Sequence, residues 1–224
     1  ARRLREAPAA MKRSPRPKKR AAPKARRAPA PGPRRGPDRT GLRRAALLFL
    51  RATGENDLRS DMRRTPGRVA DAWANDLLSG YNADPEGLLK VSFPSKDRGL
   101  VVLRDLHFVS VCVHHLLPFH GTAHVAYLPQ GRLVGLSKIV RLVDALSRRL
   151  QLQERLTHQV TAAIQTALKP LGAACRIEAE HFCMTARDAR RRGVRVVTSA
   201  YSGVFETRPA LRAEFLRSSG AGGR

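Results

Sequence analysis

Cysteine is scarce, with only Cys112, Cys175 and Cys183 in 224 residues. So small and odd a set cannot build a disulfide framework. That excludes the stapled secreted scaffolds and leaves buried or metal-binding thiols in a reducing compartment. No apolar run approaches the length of a membrane span. No stretch has the apolar core of a secretory signal, so a cytoplasmic protein without membrane partners is expected. Aromatic residues make up 5% of the chain, with one tryptophan, Trp73, whose expected place is the core. Acidic residues are outnumbered, 18 against 43 Lys and Arg, for a net charge of +25.

Such an excess ordinarily points to nucleic acid, but its distribution points elsewhere. Residues 1–40 hold fifteen Lys and Arg against two acids, together with eight prolines and no aromatic residue. A segment of that composition cannot offset its ordering entropy, so a disordered basic tail is expected. It can grip RNA, DNA or another acidic surface nonspecifically. The more economical reading is a solvated extension, and Met11 offers an internal start. The rest divides into a helical region over 41–99, a catalytic domain over 100–217 and a flexible end at 218–224.

Periodicity supplies the elements. Gly41 to Thr53 has helical spacing (Leu42, Ala46, Leu47, Leu50) and stops at Gly54. Thr65 as cap and Pro66 at the first helical position open a second helix running toward Gly80. Residues 82–99 are turn-rich. Leu100 to Val111 and Gly121 to Leu128 read as paired strands, with a turn at Pro129-Gln130-Gly131. Ser137 is expected to cap a helix with Ile139, Leu142, Val143 and Leu146 on its apolar face, and Gln153 to Leu168 forms another. Two strands follow, Ala174 to Met184 and Val194 to Phe205, joined by a basic loop, then a short helix near Arg208 to Leu216. Helices followed by ββααββ make an α+β fold with an antiparallel sheet.

Two clusters carry the chemistry. Cys112-Val113-His114-His115 ends the first strand, and His181-Phe182-Cys183 lies about seventy residues further on. On a strand, side chains two apart point the same way, so His181 and Cys183 are expected to face one spot. Cys112, His115 and Cys183 then form a candidate zinc triad with a fourth position open, the mark of a catalytic site. Spacing alone leaves His114 and His115 nearly equal as ligands. A buried thiol or a satisfied core histidine explains any one of these residues, but explains two matched clusters poorly. His114 and His181 stand nearby as proton carriers, or as residues that orient the ligands. Ser137, Lys138 and Arg141 gather a hydroxyl and two cations at a helix start, as an anion prefers, although spacing alone favours an ordinary Ser cap with two solvated basic residues. Arg187 can add a third cation. Glu154 can accept two N–H bonds from a base edge such as that of guanine, or serve only the helix dipole.

Cys112-Val113-His114-His115, Gly135-Leu136-Ser137-Lys138, Gln151 to Thr157 and His181-Phe182-Cys183-Met184 resemble the signatures of GTP cyclohydrolase I. The similarity is ordered from about Arg43 to Phe215 and includes Thr65-Pro66-Gly67-Arg68 and Thr198-Ser199. It implies the tunnelling fold, pentamers paired into decamers with active sites between subunits, and Zn2+ as cofactor. It also implies conversion of GTP and water to formate and 7,8-dihydroneopterin triphosphate, the entry to tetrahydrofolate and pterins. Residue by residue, Cys112, His115 and Cys183 match the zinc ligands, and His114 and His181 match the catalytic histidines. Glu154 with Gln153 matches the guanine anchor, and Ser137, Lys138, Arg141 and Arg187 the triphosphate contacts, with Arg68 as an addition. Four residues depart from the family pattern: Val113 stands where Glu is usual, Asp188 where Gly is usual, and Asp61-Met62 where Gly-Leu is common. A slower paralogue, or a silent homologue whose tail binds nucleic acid, is the competing expectation.

Overall fold

The computed structural model describes residues 36–55, 59–186 and 193–220. The expected disordered tail over residues 1–35 and the basic loop at 187–192, with Arg187 and Asp188, lie outside them. Helix α1, Arg39–Ala52, starts two residues inside the stretch assigned to the tail. Asp38 caps it, accepting a hydrogen bond from the Thr40 N–H at 3.0 Å.

Helix α2, Thr65–Asp71, runs on as a π-helical stretch over Ala72–Leu77 and a 3-10 turn over Ser79–Asn82. Thr65 is the first helical residue rather than the cap, and Arg64 holds the cap position without a side-chain bond. Trp73 is half-buried instead of lying in the core. The turn-rich region contains helix α3, Pro85–Leu89, and strand β1, Ser92–Pro94.

Strand β2, Val101–Cys112, and strand β3, Pro118–Leu128, form the expected antiparallel pair, with a register shift between Leu103 and Leu106. Asp105 sits in that bulge at φ 58°. Beyond the turn at Gly131, strand β4, Arg132–Val134, pairs with β1. The helical region is therefore tied to the following domain by two strands.

Helix α4, Leu136–Ser147, is preceded by Gly135 at the cap position, and Ser137 lies within the helix, contrary to expectation. Strand β5, Leu150–Gln151, runs parallel to the end of β2. Helix α5, Gln153–Leu168, has the expected bounds. Strand β6, Gly172–His181, ends at its histidine, and Phe182–Thr185 turns into a short helix, α6. Strand β7, Val196–Gly203, and helices α7, Val204–Thr207, and α8, Pro209–Ser218, complete the chain.

The main sheet has the order β5-β2-β3-β6-β7, antiparallel except at β5, so the architecture is α+β. Its core follows from two periodicities. Ala123, Val125 and Tyr127 of β3 and Ala173, Cys175, Ile177 and Ala179 of β6 present one face. Leu142, Val143 and Leu146 of α4 and Leu156, Val160 and Ile164 of α5 cover it. Each fully buried Leu, Ile or Val among them contributes about 1.5–3 kcal/mol relative to exposure. On the opposite face Ala126 and Ala174 pack with Phe205 and Phe215.

Candidate metal and active site

The turn that carries the first cluster is pinned on three sides. The Cys112 N–H donates to the Leu117 carbonyl at 2.9 Å, the Leu116 N–H to the Cys112 carbonyl at 2.9 Å, and the Val113 N–H to the Gln151 carbonyl of β5 at 3.1 Å. Leu116 takes a left-handed backbone, φ 55°, to close it. Cys112 is thereby held buried at the end of β2, while His114 and His115 project from the turn into solvent.

The second cluster arrives differently from the sequence expectation. His181 is the last residue of β6, and Cys183 belongs to the α6 turn, so the argument from strand alternation does not hold for this pair. The turn nevertheless carries Cys183 back toward β2. The ligand atoms of Cys112, His115 and Cys183 all lie within 4.8 Å of one another. Two thiols and one imidazole form the donor set that zinc favours, so these residues fit a zinc-type ion. His114 is the outer neighbour, its Nδ1 3.9 Å from the Cys112 sulfur.

His181 is fixed from two directions. Its ring stacks on Phe119, its directly opposite partner across the β3–β6 pair, with centroids 4.5 Å apart and planes 2° from parallel. Its Nε2 meets the Gln153 side-chain oxygen at 2.8 Å. The Gln153 amide nitrogen faces only oxygens: the carbonyls of Ile177 at 3.2 Å and Val196 at 2.9 Å, and the Thr198 hydroxyl at 3.2 Å. That environment settles which end of the amide is nitrogen. The oxygen turned to His181 is an acceptor, so His181 carries its proton on Nε2 and presents the Nδ1 lone pair. Burial pushes its pKa below the ordinary imidazole value, and the Glu154 carboxylate pulls it partly back.

The remaining candidates occupy the starts of two helices. Glu154 is exposed in the first turn of α5. Ser137, Lys138 and Arg141 lie in the first two turns of α4, Ser137 and Arg141 exposed and Lys138 half-buried. Arg68 is exposed on α2. Gln153, expected with Glu154 at the guanine, begins α5 directly before it. It is 1% exposed and its amide is committed to His181 and the sheet. Sequence reasoning missed its support of His181, as well as the Phe119 stack. The cross-strand register of Phe119 and His181 was the available signal for the stack.

Among the described residues, Cys112, His115 and Cys183 form one group that could hold a metal ion, which fits the class of metal-using enzymes. The sequence model of the GTP cyclohydrolase I family matches residues 42–220. The chain belongs to that family and is an enzyme of it. A GTP cyclohydrolase 1 of Chlorobium chlorochromatii is 48% identical over 177 residues, covering 79% of each chain. The GTP cyclohydrolase 1 of Caldanaerobacter subterraneus subsp. tengcongensis is 43% identical over 180 residues, 80% of this chain and 95% of that one. A solved structure, the archaeosine synthase QueF-Like in its apo form, is similar over 48% of this chain and 97% of that chain, at 23% identity and a TM-score of 0.41.

Proposed function

We propose that this enzyme converts GTP and water to formate and 7,8-dihydroneopterin triphosphate, the entry step of tetrahydrofolate and pterin synthesis. Cys112, His115 and Cys183 would hold Zn2+. The observation that carries this reading is the convergence of those three ligand atoms within 4.8 Å, with His181, two residues before Cys183, held by Gln153 and Phe119. Held by those three residues, a zinc ion would supply the Lewis acidity that makes water nucleophilic near neutral pH.

The chain's own residues supply the rest. Glu154 offers two carboxylate oxygens to the adjacent N–H donors of a guanine edge. Ser137, Lys138 and Arg141 offer a hydroxyl and two cations to the triphosphate, with Arg68 and Arg187 as further cations. His181 starts neutral, takes a proton at Nδ1 and returns it to the ring nitrogen that leaves as the imidazole opens. Burial favours its neutral, proton-accepting form. His114 is the second proton carrier. A held substrate then needs only acid–base groups for formate release and closure of the pterin ring.

The family membership supports a tunnelling fold, cytoplasmic location and pentamers paired into decamers with sites between subunits. The division into tail, helical region, 100–217 catalytic domain and flexible end belongs to the same reading. The test is incubation of zinc-loaded protein with GTP, followed by oxidation, dephosphorylation and detection of fluorescent neopterin. Absence of product from loaded, assembled protein would sink the reading.

A further inference from the structure

The strand that meets the ligand turn is only two residues long. Leu150 and Gln151 of β5 lie parallel to Val111 and Cys112, and the Gln151 carbonyl accepts the Val113 N–H at 3.1 Å. So short a strand has little hold of its own. Side chains supply it. Gln151 is 1% exposed, and its amide nitrogen donates to the Leu146 carbonyl near the end of α4 and to the Gln159 side-chain oxygen, each at 2.8 Å. Its amide oxygen accepts from Arg155 Nε at 2.8 Å. The same guanidinium donates from Nη2 to the Leu150 carbonyl at 2.7 Å, so Arg155 closes a fork over both residues of β5.

Helix geometry explains how two residues of α5 act together here. Arg155 and Gln159 are one turn apart and stand on the same face of the helix. Their chemistry also settles which end of the Gln151 amide is which. The Leu146 carbonyl requires a donor, and a guanidinium has no acceptor to offer. Buried amide groups left without partners are costly, so these bonds resist a slip of β5 along β2.

The node joins two halves of the site. On one side β5 meets the turn that carries Cys112 and His115. On the other, Leu152 is extended and Gln153 opens α5, holding His181, with Glu154 next in line. A shift of Gln151 therefore displaces the ligand turn and the helix start relative to each other.

We propose that Gln151, clamped by Arg155 and Gln159, is a positioning residue that fixes the ligand turn against the start of α5 and thereby sets how tightly the site holds its metal. The proposal deepens the zinc reading of Cys112, His115 and Cys183 and rests on it.

A residue that only stabilised the fold would lower the melting temperature and leave the metal untouched. Gln165 provides the comparison, about 18 Å of helix rise beyond Gln153. Its amide donates to the Pro170 carbonyl at 3.2 Å and accepts from the Ser202 hydroxyl at 2.9 Å. The zinc-loaded full chain is titrated with a colorimetric zinc chelator. The cobalt-loaded chain is read by its visible absorption, which reports the sulfur and nitrogen donors. Wild type is compared with Arg155→Leu, Arg155→Lys, Gln151→Met and Gln165→Met. Arg155 is exposed, so its substitutions are expected to leave the fold in place, and thermal melting verifies this.

Zinc should be held at least roughly tenfold more weakly in Arg155→Leu and Gln151→Met, with altered cobalt bands. Arg155→Lys should fall between, because it keeps the charge without the fork. Gln165→Met should lower the melting temperature yet hold zinc as wild type does. Should Gln151→Met fail to fold, Arg155→Leu decides. Wild-type zinc affinity and cobalt bands in Arg155→Leu overturn the proposal. So does an equal loss of affinity in Gln165→Met, which would mark a general loosening of the fold. A wild-type chain that takes up neither metal overturns the zinc reading itself and this proposal with it, whereas firm binding by wild type and Arg155→Leu alike overturns the proposal alone.

Discussion

Replacing Gln153 with methionine removes the amide while keeping an unbranched side chain of similar bulk. The Gln153 amide has two N–H protons shared among three acceptors, and its oxygen receives one donor from His181. That amounts to about three hydrogen bonds at ~0.5–1.5 kcal/mol each, with the orphaned buried partners adding to the cost. A loss of about 2–4 kcal/mol in unfolding free energy is therefore expected from denaturant titration. The effect on turnover has a separate origin. Without the Gln153 oxygen the His181 ring keeps its Phe119 stack but loses the bond that places its proton on Nε2. The neutral ring can then adopt the wrong tautomer, and a fall in kcat of roughly 10- to 100-fold is expected, below the full contribution of a general acid–base. Nitrogen-15 NMR of labelled histidine reads the tautomer directly, and neopterin fluorescence at saturating GTP reads kcat. In a double-mutant cycle, Gln153→Met adds little on a His181→Gln background if it acts only through that ring. An unchanged kcat together with the stability loss, or additive effects in the cycle, would refute the positioning argument.

Other outcomes follow from single observations. His124 is buried, its Nδ1 accepts from the Asp105 N–H at 3.3 Å, and burial pushes its pKa below 6.5. The unfolded chain therefore binds more protons, and stability should be full above about pH 6.5 and decline below it until the folded pKa is reached. The melting temperature should fall on acidification, with a shallower slope in His124→Asn. A side chain at Gly121 would run into the Glu178 carbonyl and the Ala179 Cα of the neighbouring strand. Gly121→Ala should thus cost at least about 2 kcal/mol by thermal melting, and wild-type stability would contradict the β3–β6 register. Val113 is exposed in the ligand turn, at a position where the resemblance to the family leads one to expect Glu. Val113→Glu with Asp188→Gly should raise kcat with GTP if those departures slow the enzyme, and an unchanged rate would clear them of that role.

Much of the fold is legible in the sequence because its signals are redundant. Helix α5 begins and ends where its apolar stripe does, and β2 and β3 alternate clearly enough to pair. What escapes depends on local competition or on tertiary context. Phe182-Cys183-Met184 is as apolar and β-compatible as the strand before it, so nothing local announces that the chain turns helical after His181. Ser137 looks like a cap, yet Gly135 takes that position two residues earlier. A parallel strand of two residues, β5, has no periodicity to detect. Gln153 is expected from the resemblance beside Glu154 at the guanine, and only the packing of α5 on β6 and β7 reveals that its amide bonds the sheet and His181. The two Cys/His clusters were visible as separate motifs, but their shared location depends on the α6 turn.

The central claim is that Cys112, His115 and Cys183 share one zinc ion. X-ray absorption at the zinc edge, combined with metal analysis of the purified protein, tests it most directly. One zinc per chain with two sulfur ligands and at least one imidazole nitrogen is expected, falling to one sulfur or to no metal in Cys183→Ser. A metal-free wild-type protein that refuses zinc, or a bound ion with no sulfur in its shell, would contradict the claim.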